Sequence, residues 1–182
     1  MFFLKWIDRI NKFFEVLVAI AFLLMTVFIA LQVIVRFVFT SFDLNISVPW
    51  TEELSRYLMI WAVFLGGALA MRRDSMIQVD PFVNALPGAI GKTIKVVSLL
   101  LTASFFMFLF ILGYQYVIQG MGQMSPVMRI PMAVTYLAIP VGSFVMILNI
   151  IALFIEAHVT KKDIRYLSTV DEEKYLDDIK EN

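Results

Sequence analysis

Four long apolar runs alternate with short segments that carry most of the charge, and this alternation predicts the architecture. From Met1 to Glu15, the charged residues Lys5, Asp8, Arg9, Lys12 and Glu15 interleave with Phe3, Leu4, Trp6, Ile7, Ile10 and Phe14. That spacing suits a helix lying in, or entering through, a membrane interface, with Trp6 at headgroup depth. Apolar sequence then runs from Val16 to Val35, and about 20 such residues suffice for one crossing. A secretory signal would have a shorter apolar core, about 7–15 residues, and then a small-residue cleavage site. Here Gln32 to Phe37 follow instead, so an uncleaved first span is expected. The expected class is an all-α integral membrane protein with four transmembrane helices, at about 14–36, 50–71, 94–118 and 132–155. Together they make a membrane domain over about 1–157, followed by a charged tail over about 158–182.

The second run begins with charge. Pro49 suits the first turn of a helix, where its missing N–H would be unpaired anyway. If Arg72 and Arg73 mark one membrane surface, a hydrocarbon layer of about 30 Å at about 1.5 Å per residue ends near Glu53. Arg56 then lies just inside the apolar layer, with Glu52 and Glu53 one helical turn before it, a good geometry for ion pairs. Two readings stand. The three form a structural clasp that fixes this span against the first span or a partner, with Arg36 as a further member. Alternatively they are an interfacial charge group in headgroup water, contributing about 0–1 kcal/mol per pair. Gln32 and Arg36 lie one turn apart on the first helix, where Arg36 can snorkel and Gln32 can bond a neighbour. Ala62, Gly66 and Ala70, with Gly67 beside them, form a row of small residues that lets another helix approach closely.

Between the second and third runs, Met76, Ile77, Val79, Phe82 and Val83 are interspersed with Asp74, Gln78, Asp80 and Asn84. Asp80-Pro81 is a helix start, a capping residue followed by Pro at the first helical position. A short amphipathic helix on the membrane surface is expected there. The fourth run contains Pro140, expected to kink it. All of the 15 Lys and Arg except Arg36, Arg56 and Arg129 fall on one side of this four-span arrangement, which places both termini in the cytoplasm.

Composition narrows the chemistry. Of 182 residues 60% are hydrophobic and 16% charged, too apolar for a soluble core, since soluble domains run at about 45–50%. Net charge is zero, so nothing points to nucleic acid, and the partner implied is the phospholipid bilayer. There is no cysteine and one histidine, His158, which excludes thiolate-ligated metals and a haem held between two histidines. No cofactor, metal site or catalytic group is expected. The centre of every span lacks Asp, Glu, Lys, Arg and His, whereas ion-coupled carriers usually place one there. A scaffold fits this pattern. A self-sufficient oligomeric channel or carrier lined by Thr26, Gln32 or Thr102 is the alternative.

An ordered set of motifs carries a family resemblance. Pro49-Trp50-Thr51-Glu52-Glu53-Leu54 with Arg56, then Trp61, Phe64-Leu65-Gly66-Gly67-Ala68, Arg72 and Ile77-Gln78-Val79-Asp80, resemble the small membrane subunit of tripartite ATP-independent periplasmic (TRAP) transporters, the DctQ family. Ile130-Pro131, Tyr136 and Ile139-Pro140-Val141-Gly142 resemble that family's fourth helix, so the likeness covers about residues 10 to 155. Members often carry His where this chain has Met76, and no role of that His can be carried over. The resemblance implies a non-catalytic subunit of the bacterial inner membrane, in a sodium-coupled importer of organic acids such as dicarboxylates or sialic acid. A large DctM-like membrane subunit would hold the substrate and sodium sites, and a periplasmic protein would deliver substrate. The small subunit would brace the large one and help dock the binding protein. From their position alone, the loops 42–48 and 121–129, with Asp43, Asn45 and Arg129, are expected to make those docking contacts.

Overall fold

The computed structural model describes residues 2–39, 48–72 and 88–160. The expected surface helix after Arg73, Asp43 and Asn45 in the first loop, and the tail beyond Thr160 lie outside these residues. The long elements are helical because a backbone in hydrocarbon must satisfy its own polar groups. Helix α1 spans Phe2–Ile34 and runs into a π-helical turn, Val35–Phe39. Helix α2 is Pro49–Arg72, and at its start the Thr51 hydroxyl and N–H both donate to the Val48 carbonyl. Helix α3 is Gly88–Gly120, α4 is the single turn Ala133–Tyr136, and α5 is Ala138–Thr160. Pro140 has no N–H to offer the Tyr136 carbonyl, which accounts for the break between α4 and α5.

Four stretches are long and apolar enough to cross a membrane: Leu4–Phe37, Pro49–Arg72, Ile90–Gly120 and Ala133–Val159. At about 1.5 Å per residue, the 33 residues of α1 reach about 50 Å, so one end must project beyond a hydrocarbon layer of about 30 Å. That end is the charged one. Ile7 and Asn11 are buried and Phe14 half-buried on one face, so the N-terminal segment packs on its neighbours as a continuation of the spanning helix.

The helices form an open row in the order α1, α2, α5, α3. In α5, 56% of the most apolar stretch is buried within the protein, against none in α1, so α5 is the core helix and α1 a flank. Leu23 on α1 and Leu101 on α3 are among many large apolar side chains left exposed, as lipid or a partner requires. One buried cluster joins Met71, Leu99 and Ile150. A second joins Ala68, Val145 and Met146, with Phe14 reaching it from α1 and Phe106 from α3. Helices α2 and α5 touch backbone to side chain at Gly142. A Cβ there would lie 2.6 Å from Phe64 Cβ and 3.1 Å from the Phe64 carbonyl oxygen.

Polar groups stitch three helices together toward the Arg72 end. Arg72 bonds Asp8 of α1 at 2.9 Å and Glu156 of α5 at 2.7 Å, with its own side chain only 15% exposed. Deeper in, Asn11 and Asn149 exchange amide hydrogen bonds of 2.7 and 2.9 Å. Their remaining N–H groups go to the Ile7 and Ala68 carbonyls. Both buried amides thus place every donor, which burial in an apolar surround demands.

Candidate functional site

The mouth of α2 is the densest polar region at the opposite end from Arg72. Trp50 sets its edge against Phe28 of α1, with ring centroids 5.8 Å apart. Glu52 and Arg56 form the ion pair expected from their spacing, at 2.9 Å, with side chains 60% and 62% exposed. Gln32 Nε2 donates to Glu52 at 3.4 Å, so the amide of α1 meets α2 through this carboxylate. Arg36, exposed on the π turn, joins neither Glu52 nor Glu53 among the described residues.

Glu53 points the other way. The residue is buried, and its carboxylate accepts hydrogen bonds from the Tyr57 hydroxyl and from two consecutive backbone N–H groups, Val127 at 3.2 Å and Met128 at 2.9 Å. Successive N–H groups that converge on one point make an anion-binding concavity. Glu53 therefore closes the loop between α3 and α4 onto α2. The loop also closes on itself. Ser125 N–H donates to the Ile130 carbonyl at 2.9 Å, Ile130 N–H returns to Ser125 Oγ at 3.3 Å, and Met132 N–H reaches the Gln123 carbonyl at 2.9 Å. Met124 and Pro131 form an antiparallel bridge, and Arg129 turns the chain with φ 54°. One helical turn into α2 from Tyr57, Trp61 Nε1 donates to the Val134 carbonyl at 3.2 Å, tying α4 down as well. Between these parts lies a cleft of about 360 Å³, lined by Pro49, Tyr57, Ile60, Met132, Thr135 and Tyr136 among others.

The expected site residues thus fall into separate places. Glu52 and Arg56 pair at the surface, Glu53 serves the loop, Arg36 stands apart, and Arg129 lies exposed at the loop turn. In the small-residue row, Ala62 is buried and Gly67 and Ala70 half-buried, but a Cβ on Gly66 would meet nothing within 4 Å. Close approaches inside the chain are made at Gly142, against Phe64, and at Gly113 and Gly120 of α3, against Pro140 and Tyr136. Sequence reasoning missed the Asn11–Asn149 bridge, although an amide in the apolar run around Asn149 was a signal that a partner must exist. It also missed the Arg72 triad, whose three members are far apart in sequence. No cluster of three or more His, Cys, Asp or Glu suited to a metal occurs among the described residues.

Residues 25–159 match the family described as tripartite ATP-independent periplasmic transporters, DctQ component. A Haemophilus influenzae protein assigned as a TRAP transporter small permease is 35% identical over 133 residues, covering 71% of this chain and 77% of that protein. The ectoine TRAP transporter small permease TeaB of Halomonas elongata is 28% identical over 170 residues, covering 92% of this chain and 84% of its own length. The C4-dicarboxylate TRAP transporter small permease DctQ of Rhodobacter capsulatus is 29% identical over 104 residues, 56% of this chain and 46% of that protein.

Proposed function

This chain belongs to the DctQ family, the small permease component of TRAP transporters, and we propose that it acts there as a brace for the large membrane subunit. A DctQ-family protein is a transporter component and not an enzyme. In this reading the protein sits in the bacterial inner membrane with both termini in the cytoplasm, so the Arg72 end faces inward and the Glu53 loop faces the periplasm. Its row of helices gives the large subunit a fixed flank against which that subunit's moving parts work. The large subunit couples sodium to the import of an organic acid, and the small subunit helps dock the periplasmic binding protein.

The observation that carries the proposal is the distribution of charge. Described charged groups gather at the two ends of the spans, at Asp8, Arg72 and Glu156 and at Glu52, Glu53 and Arg56, and the middle carries no described Asp, Glu, Lys, Arg or His. A carrier that binds ions itself usually needs charge at that depth. The bonds made by the side chains named for a pore lining favour the brace reading over the pore alternative. The hydroxyls of Thr26 and Thr102 donate to the Phe22 and Ser98 carbonyls of their own helices, and Gln32 is engaged with Glu52. The relatives bear the names of systems for ectoine and for C4-dicarboxylates. That spread supports placing the choice of solute in the other subunits.

Reconstitution tests this directly. Proteoliposomes holding this chain with its large subunit should take up solute only when the binding protein and a sodium gradient are supplied. Each membrane subunit alone should be inactive. Uptake by this chain alone would sink the proposal.

A further inference from the structure

Helices α1, α2 and α5 border a cleft of about 370 Å³ at the Arg72 end, within the range of about 300–1,000 Å³ that small-ligand sites occupy. Its wall carries both signs of charge: Asp8, Lys12 and Glu15 from α1, Arg72 from α2 and Glu156 from α5, with Leu69 as an apolar patch. Arg72 is the most buried of the charged groups, and its two carboxylate partners do not exhaust it. Nε and Nη2 lie 2.9 Å from Asp8 Oδ1, and Nη1 lies 2.7 Å from Glu156 Oε2. Each Nη bears a pair of N–H groups and makes a single contact among the described residues. Each therefore keeps an N–H for an acceptor that enters the cleft.

The cleft lies at headgroup depth. Glu15 ends the charged segment of α1, and Val16 begins its apolar run. From Asp8 to Glu15 the helix rises about 10 Å at about 1.5 Å per residue, comparable to the polar layer of about 5–8 Å on each side of a bilayer. Immediately below, Val16, Leu17 and Ile20 are exposed apolar side chains, as acyl chains require.

We infer that this cleft binds the headgroup of a phospholipid with a primary ammonium, phosphatidylethanolamine. The phosphate meets Lys12 and the remaining N–H groups of Arg72, and the ammonium meets the carboxylates of Glu15 and Asp8. Lys12 and Glu15 are three residues apart on α1, which sets their Cβ atoms about 5–6 Å apart. The two-carbon link between phosphate and ammonium bridges that spacing. Charge and donor chemistry select this headgroup over its neighbours in a membrane. Three carboxylates against two cations line the cleft, so an anionic headgroup without an ammonium, such as that of phosphatidylglycerol, meets net repulsion. Choline has no N–H to donate and is recognised by aromatic faces, and none of the described residues lining the cleft is aromatic. The inference needs only a bilayer around the helices and is independent of the brace reading.

Native mass spectrometry of the full chain in detergent tests it, with an equimolar mixture of phosphatidylethanolamine, phosphatidylglycerol and phosphatidylcholine of matched acyl chains. The parent should retain one phosphatidylethanolamine, about tenfold above either competitor. Lys12→Ala and Glu15→Gln should each reduce that retention about tenfold, the lower end of what a hydrogen bond to a charged group contributes. Both parent side chains are exposed, so the helical circular dichroism signal should match the parent's. Lys92→Ala, exposed at the start of α3 and outside the cleft, should retain the lipid as the parent does. Soluble glycerophosphoethanolamine at equal concentration should not displace it. The ranking of lipids is read on the parent chain and decides the matter even if a variant misfolds. Equal retention of phosphatidylglycerol or phosphatidylcholine would overturn the inference, as would unchanged retention in both cleft variants. Displacement by the soluble headgroup would assign the cleft to a free solute and overturn it too.

Discussion

Replacing Arg72 with Met would remove the cation that Asp8 and Glu156 share. Arg72 is mostly buried and bonds both, so the loss is that of a half-buried pair broken on one side. We expect about 2–3 kcal/mol, toward the lower end of such measurements because Asp8 is half-exposed. Thermal unfolding in detergent should show the loss for Arg72→Met and a smaller one for Asp8→Asn. Equal stability of Arg72→Met and the parent would mean that the triad is ornamental. The Asn11–Asn149 bridge calls for a different experiment, because each amide also bonds a backbone carbonyl. A double-mutant cycle with Asn11→Leu and Asn149→Leu should give a coupling of about 0.5–2 kcal/mol, the range for polar contacts between membrane helices. Residue pairs of this kind differ in how well a sequence announces them. Glu52–Arg56 is legible because helical geometry fixes the neighbour four residues on. Glu53, three residues before Arg56, is also within helical reach, yet it turns to backbone N–H groups at Val127 and Met128. Backbone donors have no residue type, so nothing at positions 127 and 128 points back to Glu53.

At the scale of elements, the apolar runs were readable because hydrocarbon allows a crossing backbone little besides helix. Which faces meet was less readable. Small residues appear on both α2 and α5, and spacing alone does not distinguish a seam used within the chain from one left open. Gly142 is used within the chain, as are Ala62 and Ala68 of α2, whereas Gly66 is open. Gly142→Ala would put a Cβ 2.6 Å from Phe64 Cβ and against the Phe64 carbonyl. Helices α2 and α5 must then separate, at about 1–3 kcal/mol for an overpacked contact. Gly66→Leu should leave the isolated chain as stable as the parent, because a Cβ there meets nothing within 4 Å. If α2 presents Gly66 to the large subunit, the same variant should lower co-purification of the complex. A Gly66→Leu complex recovered at full yield would remove Gly66 from the partner interface. The pair of variants therefore separates packing inside the chain from packing against a partner.

For the whole molecule, the open row of α1, α2, α5 and α3 and the two polar ends imply a slab with fixed sides. The Arg72 triad and the asparagine bridge tie α1, α2 and α5 at one end, and Glu52, Glu53 and Trp61 tie α1, α2, α4 and the loop at the other. A slab stitched at both surfaces resists tilting of one helix against the next, as a brace must. The docking role proposed for the small subunit holds only if the loop end lies outside. That orientation derives from the bias of basic residues, which is strong here because only Arg36, Arg56 and Arg129 fall on the loop side. Arg129→Cys and Val159→Cys stand at opposite ends of the slab, and both parent residues are exposed. A membrane-impermeant maleimide should label Arg129→Cys in intact spheroplasts and Val159→Cys only after the membrane is opened. The reverse pattern would put the Glu53 loop in the cytoplasm, where no periplasmic protein could reach it. Labelling of both in intact cells would mean that the fourth span does not cross, and the charge-free centre would then need another explanation.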